Sequence, residues 1–262
     1  MKAQANQVNP SPARFTDKRP VLSVVMIELL LLVAMFVAGA YATIQELSYT
    51  APVLIAFIPI SIVLIACLTW KKSWGRYGFR PLSTIPARNW MYYLPLALAL
   101  LIVALNGFRS FTLKEAMFFV FFTLMVGFVE ETVYRGLILH ILLRHKSVTA
   151  AVLTSSLLFS VTHVLNMLSG QSAEDTLVQL VYALLTGAAL ALLIVKNHNI
   201  IPLIIYHFIH NLIQFLGQDG RGVSVWDYVI LIILLLHCLW LVFSLKKNPA
   251  VPGVSGSTKE MA

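Results

Sequence analysis

The chain has 262 residues, 59% of them hydrophobic and only 11% charged, with a net charge of +8 and a mean hydropathy of +0.83. That composition excludes an ordinary soluble domain and describes an integral membrane protein. The two cysteines, Cys67 and Cys238, lie far apart in apolar segments, which excludes a disulfide framework or a cysteine metal site. The positive charge is spread over separate loops and gives no argument for a nucleic-acid partner.

Taken in chain order, the apolar stretches fall at 21–44, 52–70, 91–108, 116–143, 148–168, 177–195, 200–217 and 227–245. Each is about long enough to cross a ~30 Å hydrocarbon core as a helix rising 1.5 Å per residue. The expected fold is therefore all-α, a polytopic bundle of about eight transmembrane helices. Residues 1–114 are expected to hold three spans behind a cytoplasmic N-terminus, 115–217 the next four, and 218–262 the last span and a cytoplasmic tail. The first 20 residues and the tail NPAVPGVSGSTKEMA read as flexible. The first stretch is preceded by Lys18 and Arg19 and ends near AGAYA, an A-x-A-like pattern. Its apolar length of about 24 residues exceeds a signal-peptide core, so it reads as a retained helix.

Lys and Arg remain on the cytoplasmic side of membrane helices. With both termini inside, fifteen basic residues fall in inner segments, among them Lys71, Lys72, Arg76, Arg80, Arg88, Arg144, Lys146, Lys246 and Lys247. Only Arg109, Lys114 and Arg221 fall outside, together with six of the eleven acidic residues. This split orients the chain in a cell membrane, and the net charge reports contact with anionic lipid.

Three charges break the fourth stretch, in the sequence EETVYRG (residues 130–136). A charge near the bilayer centre costs roughly 2.5–3.5 kcal/mol on insertion scales, so Glu130, Glu131 and Arg135 call for a use. On a helix, Glu131 and Arg135 are i,i+4 neighbours in the favourable order for an ion pair. Glu130 is turned about 100° from Glu131 and reads as free for acid–base chemistry. The fifth stretch supplies Phe159, His163 and Asn166, and the seventh supplies His207, His210 and Asn211. His207 and Asn211 share a helix face, and His210 is expected to point elsewhere. Counting from the inner ends at 1.5 Å per residue puts Glu130, His163, His207 and Asn211 roughly 10–22 Å deep. Glu28, alone in the first stretch, is left without a role.

A carboxylate and an imidazole holding one water can deprotonate it for attack on a carbonyl, while a second imidazole and an amide donate to the oxyanion. The same residues leave zinc-assisted hydrolysis open, with Glu130, His163 and His207 as ligands. No HExxH pair is present to make zinc a strong reading, and the cofactor expectation is none, with zinc the alternative.

These motifs resemble the CAAX prenyl endopeptidase and bacteriocin-processing family of intramembrane proteases, also called the Abi family. EExxxR is matched by Glu130, Glu131 and Arg135, followed by Gly136; FxxxH by Phe159 and His163; HxxxN by His207 and Asn211. The resemblance covers about residues 115–217 and implies an endopeptidase in which Glu130 and His163 activate water. It also implies that His207 and Asn211 stabilise the oxyanion and that Glu131 and Arg135 support the site. Eukaryotic prenyl-protein proteases carry a second His where this chain has Asn166, so the resemblance is to bacterial members, linked to bacteriocin immunity and peptide maturation. The expected partners are the lipid bilayer and a peptide or membrane-protein substrate. The alternative is a non-catalytic immunity or scaffolding protein that binds a peptide or a partner helix.

Overall fold

The computed structural model describes residues 15–169, 171–218 and 222–247, without the side chains of 168 and 169. The flexible-looking ends fall outside the described residues, apart from 15–20, and so do Lys2, Arg14, Asp219, Arg221 and Lys259 from the charge count. Within the described residues the chain is a helical bundle. A single turn, α1 (Phe15–Lys18), leads into α2 (Pro20–Ile44) and α3 (Ala51–Trp70), followed by α4 (Leu94–Ala104), α5 (Leu113–Glu131), α6 (Leu139–Leu143) and α7 (Val148–Thr162). The remaining helices are α8 (Ala173–Asn197), α9 (Ile201–Leu216) and α10 (Val225–Lys247). Among the described residues, seven helical segments are long and apolar enough to cross a membrane, and α9 is a shorter apolar helix of 16 residues.

The helix starts follow from local chemistry. Proline occupies the first turn of α2, α3, α4 and α9, where its missing N–H is not needed. Thr112 and Glu115 close a capping box at the start of α5, and Ser147 and Ser172 accept from Ala150 and Asp175 at the starts of α7 and α8. The third apolar stretch begins as a 3-10 turn, Ala87–Tyr93, before α4.

Two departures from regular helix matter for the site. The fourth stretch is not one straight α-helix, because Thr132–Ile138 winds as a π-helix between α5 and α6. The fifth changes from α to 3-10 at His163, which opens a turn running to Ser169.

In the centre of the bundle α5 packs along α9 and α7 along α8. The α5–α9 approach is close because Gly127 faces α9: a Cβ there would lie 3.2 Å from the Ile204 carbonyl oxygen and the Phe208 nitrogen. Nearer one end, Phe119 and Phe122 close on Phe215, with ring centroids 5.2 Å apart in each case. The α7–α8 approach depends on Gly187, whose Cβ would meet the Arg135 Nη2, the Phe159 ring and the Ser156 Cα at 3.2–3.3 Å.

The basic loops meet at one end of this bundle. Arg144 pairs with Asp17, Asn199 donates to the carbonyls of Arg80 and Pro81, the Ile200 N–H donates to the Gly78 carbonyl, and Asn89 donates to Asn197. At the other end, the Arg109 N–H donates to the Leu216 carbonyl and Phe108 bridges Gly217.

Candidate active site

The site is assembled where α5, the π-turn, α7 and α9 meet. Glu131 is fully buried, and its Oε1 accepts from Arg135 Nη1 at 2.9 Å and from His207 Nδ1 at 2.9 Å. The other ring nitrogen of His207, Nε2, lies 3.2 Å from Glu130 Oε2. One imidazole thus stands between two carboxylates that are adjacent in sequence. A neutral imidazole carries a single N–H, so hydrogen bonds to both carboxylates need one further proton on the ring or on Glu130.

Glu130, expected to lie apart from the Glu131–Arg135 pair, thus meets the same imidazole as Glu131. The two glutamates project about 100° apart from the end of α5, and α9, drawn close at Gly127, lies in the angle between them. The two nitrogens on either side of the His207 ring then reach both carboxyl groups.

The π-turn widens the helix at Tyr134 and Arg135, and such turns leave backbone groups without their α-helical partners. The Ser155 hydroxyl on α7 donates to the Tyr134 carbonyl at 2.9 Å. The Arg135 guanidinium lies over the Phe159 ring, 4.2 Å from its centroid, a cation–π contact that adds to the Glu131 ion pair. Phe159 also meets His163 and His207 edge to face, at 5.0 and 5.9 Å between centroids. The first residue of the FxxxH motif is therefore the packing centre of the site.

His163 owes its orientation to the change of helix type. Its own N–H turns to the Ser160 and Val161 carbonyls, which leaves the Phe159 carbonyl to the His163 ring Nδ1 at 2.9 Å and to the Thr162 hydroxyl at 2.7 Å. Nδ1–H donation to a carbonyl fixes the tautomer with a lone pair on Nε2. On α9, the Nδ1 of His210 lies 3.3 Å from Asn211 Oδ1, which leaves the Asn211 NH2 to point its donors elsewhere.

A cavity of about 550 Å³ joins these groups, with Phe159, His163, His207 and Asn211 in its lining. The motif residues Glu130, Glu131 and Arg135 stand behind His207 rather than in that lining. His210 was expected to point elsewhere, yet it lines the same cavity, stacked on Tyr182 at 4.9 Å. Tyr182 and Tyr206, whose hydroxyls are 3.0 Å apart, are also in the wall and were not singled out from sequence. A tyrosine in an apolar helix carries no periodic signal that separates a cavity wall from ordinary packing. Glu28 gains a partner: the Tyr134 hydroxyl lies 3.5 Å from its Oε1, joining α2 to the π-turn.

The donor set does not present a zinc cage. Among the described residues no three His, Cys, Asp or Glu side chains are placed to share an ion, and both His207 nitrogens already face carboxylates.

Residues 112–213 match a family model described as type II CAAX prenyl endopeptidase Rce1-like. The match spans all three motifs. Over that segment the chain is similar to the type II CAAX prenyl endopeptidases. No curated protein and no solved structure matches the chain. The matched segment runs from the capping box of α5 to Ile213, three residues before the last residue of α9.

Proposed function

We propose that the chain is an intramembrane endopeptidase in which Glu130 and His163 activate water and His207 and Asn211 stabilise the oxyanion. The observation that carries this reading is the placement of His207 between Glu130 and Glu131 at a cavity that His163 and Asn211 also line. His163, in the cavity lining, accepts a proton of the water on Nε2 as the water oxygen attacks the scissile carbonyl, and Glu130 assists from behind through its contact with His207. The carbonyl π electrons move onto oxygen, and the negative charge meets the Asn211 NH2 and the His207 Nε2–H, which the oxygen shares with Glu130 across their 3.2 Å contact. Collapse of the tetrahedral intermediate breaks the C–N bond, and the proton held by the acid–base pair passes to the leaving amine. Glu131 acts through His207: it accepts from Nδ1 and holds the ring in place. No step is routed through a metal. A chelator is expected to leave cleavage unchanged.

Bacteriocin immunity or peptide maturation is the role proposed for such an activity, in the cell membrane with both termini cytoplasmic. The test uses purified Glu130→Gln and His163→Ala proteins with a peptide substrate. Each is expected to lose about 10²–10⁴-fold in kcat with thermal stability retained; cleavage persisting in both sinks the mechanism.

A further inference from the structure

We infer that the substrate reaches this site from the end of the bundle opposite the basic loops, as an extended unlipidated peptide bound through its main chain. The inference deepens the proteolytic reading above, but the side of access stands independently of it, on the geometry of the cavity and the distribution of basic residues.

Towards the basic end the site is sealed. One to two turns from the charged cluster, Ile138, Leu139, Leu190, Leu193, Ile200 and Leu203 are all fully buried. Beyond them, the loop around Gly78 and Arg80 is bonded to Asn199 and Ile200. Towards the other end the cavity opens. Phe159, Thr186, Tyr206 and His207 at its floor are buried, whereas Gln214, Gln218 and Gly222 at its rim are exposed. The rim belongs to the loops that carry few basic residues, which the charge split puts on the extracytoplasmic side.

The wall is rich in one functional group. Asn106, Gln171, Gln179, Asn211, Gln214 and Gln218 line the passage from rim to floor. A carboxamide carries one acceptor oxygen and two N–H donors, the complement of a peptide group; the Gln179 oxygen already accepts from Asn166, which leaves its N–H donors to the passage. An extended chain presents N–H and C=O groups along its whole length and is held by such a wall whatever its side chains. A prenyl chain offers neither, and would leave the wall's polar groups desolvated without partners.

Two reporters test the side of access in a Cys67→Ala, Cys238→Ala background. A Cβ at Gly222 or at Gly75 meets nothing within 4 Å, so cysteine fits at either, one at the rim and one in the turn at the basic end. With a membrane-impermeant maleimide on intact cells, Gly222→Cys is expected to react and Gly75→Cys to react only after lysis. The reverse pattern overturns the assignment of sides. The substrate class is read by binding to detergent-solubilised full-length protein, using a fluorescent random-sequence decapeptide pool and the same pool ending in a farnesylated cysteine. The unlipidated pool is expected to bind at least as tightly, and a bulky maleimide on Gly222→Cys to weaken it by about tenfold or more. Binding of the farnesylated pool alone, or indifference to the label, overturns the inference. Binding by the parent protein without cleavage removes the proteolytic reading and leaves this inference in place.

Discussion

At the scale of single residues, Glu130 and Glu131 differ in what depends on them. Among the described residues, Glu131 is the sole carboxylate bonded to the buried Arg135 guanidinium, and it also holds His207. Replacing one partner of a buried ion pair leaves an uncompensated charge, at a cost of roughly 3–5 kcal/mol. Glu131→Gln is therefore expected to lower the melting temperature markedly, in thermal unfolding followed in detergent, while Glu130→Gln leaves it nearly unchanged. Equal melting temperatures would contradict the division of labour between them. Asn211→Ala removes a donor without touching the ion pair, and a loss of about 10²–10³-fold in kcat is expected. An unchanged kcat would remove Asn211 from the oxyanion site.

At the scale of elements, the site depends on two close helix crossings and one irregular turn. Gly127 lets α9 approach α5 so that His207 reaches both carboxylates. Because the atoms a side chain would meet are backbone atoms of α9, they cannot swing aside. Gly127→Val is expected to separate the helices, cost about 1–3 kcal/mol and abolish cleavage; retained kcat would show that the crossing distance is not what seats His207. The π-turn is tied to α7 by the Ser155 hydroxyl. Ser155→Ala should cost about 1–2 kcal/mol through the unpaired Tyr134 carbonyl, a shift measurable by denaturation of the purified protein.

At the scale of the whole molecule, the bundle is built around the segment matched by the family model, with α2 and α3 laid against it. The faces of α2 and α3 remain largely uncovered: Leu30, Phe36, Ile62 and Val63 are all more than half exposed, as suits side chains facing lipid. Near the middle of α3, Ile62→Leu should therefore be nearly neutral, whereas Ile62→Arg should cost about 2.5–3.5 kcal/mol of insertion free energy. A membrane-insertion assay reads both, and equal insertion of the two would move that face of α3 out of the lipid. The link between Glu28 and Tyr134 shows how the outer helices connect to the site, which the sequence of α2 alone did not reveal.

The sequence by itself determined the bundle and the identity of the charged cluster, because both rest on local rules. Uninterrupted apolar length makes a membrane helix, basic residues sort by side, and i,i+4 spacing pairs Glu131 with Arg135. Only the tertiary structure decided what the cluster faces. The meeting of Glu130 with His207, the inclusion of His210, Tyr182 and Tyr206 in the cavity wall, and the end at which that cavity opens all depend on how helices far apart in sequence cross. Those crossings are set by small residues such as Gly127 and Gly187 and by the π- and 3-10 turns, whose effects lie in the distance between helices rather than in any periodic pattern along one.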